Sequence, residues 1–132
     1  MPVRWGDMDA LGHVNNAVYF TYDESARIAY FEPLIRDDPG FWTEHGLILA
    51  HIECDFLSQL KPPADISIAF RIASFGRSSM RSEAAVFLND QAVAVMRGVI
   101  VWFDYRQQRA APIPEHVRQM IRDREVRAPS ER

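Results

Sequence analysis

An α+β fold is predicted for this chain of 132 residues, with one long helix near the N-terminus and an antiparallel sheet that wraps it. Three observations predict it. Residues Ala17 to Phe31 contain neither Gly nor Pro and follow Asn15 and Asn16, residue types suited to the start of a helix. From Leu47 onward the apolar period falls to two, the spacing of strands. Short turn-forming strings then separate the apolar runs, so consecutive strands can pair as an antiparallel meander.

Each element follows in order. Met1 to Trp5 reads as a short strand. In the helix, Val18, Tyr19, Tyr22, Ala26, Ala29 and Tyr30 recur at helical spacing, and Phe20, Ile28 and Phe31 widen the stripe until the helix should be surrounded. Asp23, Glu24 and Arg27 stand at pairing distances and are expected on a wet side; Pro33 is expected to stop the helix. Ile52, Cys54 and Phe56 alternate with His51, Glu53 and Asp55 until "KPPAD" breaks the strand. Ile66, Ile68, Phe70 and Ile72 form the next strand, ending at "SFGRSS"; Met80 to Leu88 returns and turns at "NDQ", and Ala92 to Tyr105 runs back. This last strand is apolar on both faces, with Met96, Ile100 and Trp102 on one and Val95, Val99, Val101 and Phe103 on the other. One face can cover the helix and the other needs a second cover, which dimerisation would supply. "IPEHVRQMIRD" reads as a short amphipathic helix starting near Pro114, with Val117, Met120 and Ile121 inward. A single domain is expected over 1–124, with a charged, fraying tail over 125–132.

Composition narrows the function classes. A net charge of −3 gives no general electrostatic attraction to nucleic acid or to an anionic membrane. No apolar run approaches the length of a membrane span, and no secretory signal pattern opens the chain. Cys54 is the only cysteine, so no intrachain disulfide can form and a reducing, cytoplasmic setting is expected. Arginine is abundant throughout and Lys61 is the only lysine, so a single arginine carries little functional weight.

The string "WGDMDALGHVNN" concentrates polarity just ahead of the helix. Asp7 and Asp9 precede Gly12, which permits backbone conformations other residues resist. Amides at a helix N-terminus, unpaired within the helix and at the positive end of its dipole, can polarise a carbonyl oxygen and stabilise an oxyanion. A carboxylate beside them could attack that carbonyl or deprotonate a water that does. On pattern alone, capping and turn formation explain the same residues, and His13 could equally serve a buried backbone group.

The order "WGDMDALGHVNNAVYFTYDESAR" resembles the signature of the 4-hydroxybenzoyl-CoA thioesterase family of the hotdog-fold superfamily, in which a D-x-D-x-x-G turn leads into a long central helix. The segment "IECDFLSQLKPPADISIAFRIASFGRSSM" looks like that family's following strands, so the resemblance spans most of the chain. It implies a hotdog fold, with Asp9 as nucleophile or general base and the amides near Asn15 and Asn16 polarising the thioester carbonyl. Asp7 would support the turn. Plant acyl-ACP thioesterases carry a related string whose Asp and His match Asp9 and His13, but Leu11 stands where theirs has Asn. His13 could therefore orient Asp9 or a water, or be a structural hydrogen bonder. The family's habit is to close the second apolar face by forming a homodimer or homotetramer. Its first strand usually begins further upstream than Met1 here, which raises the question of whether the N-terminus is complete.

Thioester hydrolysis suits this equipment, because an alkyl thiolate with a pKa of about 8.5 leaves without much help from an acid. Asp9, His13 and Asn16 are thus the catalytic candidates. Asn15 and Tyr19 are candidates for substrate contact at the helix start. Arg77, Ser78 and Ser79 are candidates for the nucleotide end of coenzyme A, because "FGRSSMR" resembles the family segment that meets it and guanidinium and hydroxyl groups suit phosphate oxygens. A solvated turn is the alternative. His51, Glu53 and Asp55 share a strand face but lack a complementary metal-ligand cluster, and Cys54 alternates as a packed residue.

The leading expectation is an acyl-CoA thioesterase acting on a small or medium acyl group, with no cofactor other than coenzyme A as part of the substrate. An acyl-ACP thioesterase and a non-catalytic acyl-CoA-binding protein are the alternatives. A hotdog dehydratase fits the turn less well.

Overall fold

The computed structural model describes residues 2–3, 15–61, 65–125 and 129–131. The order of elements is α1 (Val18–Arg36), β1 (His45–Phe56), β2 (Ser67–Phe75), β3 (Ser79–Leu88), β4 (Gln91–Asp104), β5 (Arg109–Ala110), α2 (Glu115–Arg124) and β6 (Ser130–Glu131). The predicted α+β class holds, and the arrangement is the hotdog fold: a strongly curved, mainly antiparallel sheet wrapped on a central helix.

Strands pair in the order β1-β4-β3-β2-β6, with β5 added to β4. The meander expected from the sequence is confined to β2, β3 and β4; β1 lies instead on the far side of β4. Asn89 and Asp90, with φ of 52° and 67°, make the tight β3–β4 turn, the left-handed conformation that short polar residues tolerate. Three register shifts bend the sheet, between Leu49 and His51, between Ile72 and Ser74 and between Val86 and Phe87. At mid-sheet a Cβ on Gly98 would stand 2.7 Å from Ser82 Oγ, so any larger residue there would force the Ser82 side chain to shift.

The concave face buries α1. Tyr30, Phe31 and Leu34 meet Ile72, Phe75, Met80, Ile100 and Trp102, while Val117 and Ile121 of α2 close that end. Tyr19 and Tyr22 pack with Ala84, Val86, Ala94 and Met96 at the other. Met120 is partly buried against the first cluster.

Four expectations about the helices and tail change. The long helix runs through Pro33 to Arg36, and the buried Phe31 and Leu34 on either side of the proline show packing outweighing one lost amide. It is not surrounded, because Phe20 and Ile28 remain 36% and 43% exposed. Asp23 pairs with Arg27 at 2.7 Å as expected, but it is buried rather than wet, and that burial raises its pKa despite the arginine. The tail is tied down at two points: Glu125 Oε1 accepts from Tyr30 O–H at 2.6 Å and from Ile72 N–H at 3.0 Å, and Ser130–Glu131 pairs in parallel with Ser74–Phe75. Of the N-terminal strand, Pro2 bridges Asp65.

Candidate functional site

The helix start is built by Asn15. Its side-chain oxygen accepts from Ala17 N–H at 2.9 Å, and its carbonyl accepts from Val18 N–H at 2.9 Å, closing a turn over Asn16 and Ala17. Asn16 and Ala17 carbonyls take the Tyr19 and Phe20 amides at 3.3 Å each. Ala17 stands at the cap position with φ −64° and ψ −27° and provides no side-chain cap. The capping expected of Asn15 and Asn16 is thus done by Asn15, two positions ahead of the cap position. Asn15 and Asn16 are both exposed, and among the described residues the Asn16 N–H has no hydrogen-bond partner. Asp7, Asp9, Gly12 and His13 lie outside the described residues.

Tyr19 is buried, its ring edge-on to Tyr22 at 5.8 Å and to Phe56 at 5.3 Å. Burial, with the Cys54 thiol nearby, raises its hydroxyl pKa. Burial likewise lifts Cys54 to about 11, the state of an inert thiol and in keeping with the packed role read from its alternation. Beside Tyr19, Phe56 and Leu57 are 44% and 57% exposed, an apolar rim on the helix-start end of β1.

Arg77, Ser78 and Ser79 sit at the opposite end of the sheet. Their backbone is committed: Ser78 O accepts from Trp102 N–H at 2.8 Å, Arg77 O from Ile113 N–H at 2.9 Å, and Ser79 O from Gly76 N–H at 2.6 Å. Arg118 donates to Gly76 O at 2.6 Å and so braces the same turn from α2. The Arg77 side chain is exposed and lines a hollow of about 520 Å³ with Asp104, Gln107 and Arg109. Among the described residues neither Arg77 nor Arg109 has an ion-pair partner. Arg109 escaped the sequence reading because only the β4–β5 register, Asp104 opposite Arg109, brings it to this hollow.

The two ends are far apart in one chain. Phe56, against Tyr19, is opposite Ala94, whereas Ser79 is opposite Val101; the strand between them spans about 23 Å at the usual rise. At the Ser79 end of the sheet, α1 and β1 enclose a pocket of about 200 Å³ lined by Arg27, Ile28, Phe31, Trp42, Leu47 and Leu49. Trp42 is 45% exposed and held at φ 73°, an unfavourable conformation for so bulky a residue, fixed by its N–H bond to His45 O at 2.7 Å.

His51, Glu53 and Asp55 face outward and their partners are ionic, His51 to Glu53 at 3.6 Å and Asp55 to Arg97 at 3.1 Å. Among the described residues no group of three or more His, Cys, Asp or Glu could hold a metal ion. None of the described helices is long and apolar enough to cross a membrane.

Residues 3–121 match the thioesterase-like superfamily. The chain belongs to that superfamily. A Thermus thermophilus thioesterase, solved in complex with coenzyme A and Zn, is 38% identical with a TM-score of 0.84, over 96% of this chain and 92% of that one. An Arabidopsis thaliana chloroplastic protein, acyl-acyl carrier protein thioesterase ATL3, is 26% identical over 89% of this chain and 63% of its own length. The uncharacterized protein YsmA of Bacillus subtilis is 33% identical over 59% of this chain and 52% of its own. The superfamily member thus spans between about half and two thirds of these two relatives.

Proposed function

We propose that the protein is an acyl-CoA thioesterase of the 4-hydroxybenzoyl-CoA thioesterase type, hydrolysing a small or medium acyl-CoA to the free acid and coenzyme A. The observation that carries this is the Asn16 amide at the exposed start of α1, without a hydrogen-bond partner among the described residues and next to the string that holds Asp9. In this reading the amide donates to the thioester oxygen as it becomes an oxyanion. Asp9 adds to the carbonyl carbon, giving an anhydride that water cleaves, or takes a proton from the attacking water; either way coenzyme A leaves as thiolate and is protonated by solvent. His13 positions Asp9 or that water. No cofactor is needed beyond the coenzyme A of the substrate, and the half-buried Cys54, its thiol pKa raised, fits a reducing cytoplasm.

The separation of the two ends supports a site shared between copies. Among the described residues β1 has no strand on its outer edge. An antiparallel second copy added there sets the His45 end of one β1 beside the Phe56 end of the other. Since His45 is opposite Asp104, the Arg77–Arg109 hollow of the second copy then approaches the helix start of the first. The nucleotide would meet that hollow, Ser78 and Ser79, with the thioester at Asn16. Exposed Phe20, Ile28, Trp42, Phe56 and Leu57 give such a homodimer its apolar contact, and pairing of dimers would give a homotetramer. The pocket of about 200 Å³ supports a small or medium acyl group.

The Arabidopsis relative keeps an acyl-ACP substrate as the second reading. Release of free thiol from aryl, short, branched and long acyl-CoAs, and from acyl-ACP, tests both. With the best of these substrates, Asp9→Asn should lower kcat by at least about a hundredfold with acyl-CoA binding retained. Saturable acyl-CoA binding without thiol release from any substrate would make the protein a binder instead.

A further inference from the structure

The outer face of the sheet, away from α1, holds a hollow of about 740 Å³, within the range of small-molecule sites. Register arranges its side chains in two rows across the strands. In one, Glu53, Arg97, Glu83 and Arg71 stand opposite one another with alternating sign. Its members are paired, Arg71 to Glu83 at 3.1 Å, Arg97 to the neighbouring Asp55 at 3.1 Å and Glu53 to His51 of the adjacent row at 3.6 Å. In the adjacent row, His51, Val99, Arg81 and Ser74 stand opposite one another, two basic groups and a hydroxyl with no acid among them. Arg81 is exposed, and among the described residues it has no ion-pair partner.

Ser74 is the unusual member. It lines the hollow, is 7% exposed, and its Oγ is buried without a hydrogen-bond partner among the described residues. Its direction follows from the bulge at Ala73: Ile72 points into the core, and the extra residue turns Ser74 to the same outer face as Arg81 directly opposite. Buried hydroxyls are nearly always paired, so an orphan beside an uncommitted guanidinium points to a ligand.

We infer that this hollow binds a small phosphate-bearing molecule, with Arg81 and Ser74 donating to the phosphate oxygens and His51 at the other end of the row. A phosphate accepts several donors at once and matches the guanidinium fork, whereas the neighbouring row is already neutral and offers an anion nothing. The site lies across the sheet from the helix start and is independent of the thioester reading.

The test is titration of the full chain with inorganic phosphate and with a nucleoside monophosphate, followed by calorimetry and by backbone amide NMR shifts. Phosphate is expected to saturate at millimolar concentration or below and to shift the amides of Ser74, Arg81 and His51. Arg81→Ala should weaken it by at least about tenfold, with Arg81→Lys recovering part, while Arg36→Ala, on the exposed last turn of α1, changes it less than about twofold. Ser74→Ala should weaken phosphate binding yet leave the unliganded protein as stable or more so, since it deletes an unsatisfied hydroxyl; a purely structural serine would show only the second effect. A nucleotide bound more tightly than phosphate through the same residues identifies the source as a nucleotide, and equal affinity identifies free phosphate. Absence of saturation at about 10 mM phosphate, equal binding of acetate, or loss through Arg77→Ala instead of Arg81→Ala would overturn the inference.

Discussion

Replacing Asn16 by proline removes one N–H at the start of α1, and the local geometry makes the substitution unusually clean. Asn16 occupies the second position of the turn closed by Val18 N–H to Asn15 O at 2.9 Å, and Ala17 after it has φ −64° and ψ −27°. Proline is favoured at that second position, its fixed φ suits the turn, and the helix proper begins only at Val18. No intrahelical hydrogen bond is lost, because among the described residues the Asn16 N–H has no partner. If that amide holds the oxyanion, its removal should lower kcat by about a hundred to a thousandfold, or about 2.7–4 kcal/mol of transition-state stabilisation. Asn16→Ala keeps the N–H and loses only an exposed side chain, so it should stay within about threefold of the parent. Single-turnover thiol release measures the chemical step, and circular dichroism verifies the helix. A proline variant as active as the parent, or equal losses in both variants with the helix intact, would refute the assignment of the donor to this amide.

Three further outcomes follow from other parts of the molecule. Glu125→Ala strips the acceptor from Tyr30 O–H and Ile72 N–H and should cost about 2–3 kcal/mol in urea unfolding, with Glu125→Gln costing less; a change under about 0.5 kcal/mol would show that the tail is not held there. Asp38, bonded to His45 at 2.5 Å and to Gly40 N–H at 2.9 Å, has its pKa lowered chiefly by the histidine. Its contribution is therefore present above about pH 4 and lost as pH falls through the lowered value, so Asp38→Asn should be less stable than the parent at pH 6 and match it at pH 2, and equal stability at both would contradict the pair. In sedimentation at micromolar concentration the chain should be a dimer or larger, and Phe56→Glu should shift it toward monomer and depress turnover; a monodisperse parent monomer would remove the shared site.

The long helix and the strands were legible because each is specified by local period and by residues such as Asn15 that act within a few positions. Pro33 misled because a propensity was weighed without the core that Phe31 and Leu34 enter on either side of it. Asp23 misled in the same way: i,i+4 spacing revealed Arg27, but not that the pair is buried. The placement of β1 beside β4 is a long-range choice that no alternation pattern encodes. The chemistry of the opening string was legible as residue types in order, and Asp9 and His13 still rest on that order alone, outside the described residues.

What alternation does contain is a change of phase that acquires meaning only with the register. In β1, Leu47 and Leu49 face the core, opposite Trp102 and Ile100; past the shift, Ile52 and Cys54 do so, opposite Gly98 and Met96. In β2, the inward set passes from Phe70 and Ile72 to Phe75. Were either strand to continue without its extra residue, His51 or Ser74 would be driven into the core, a polar group in an apolar place. Each bulge thus rescues one polar residue to the outer face, and both lie in the same row as Arg81. Two irregularities in separate strands that deliver an imidazole and a hydroxyl to one uncommitted guanidinium are more economically explained by a ligand than by sheet curvature, which would be served equally well by apolar residues at both positions.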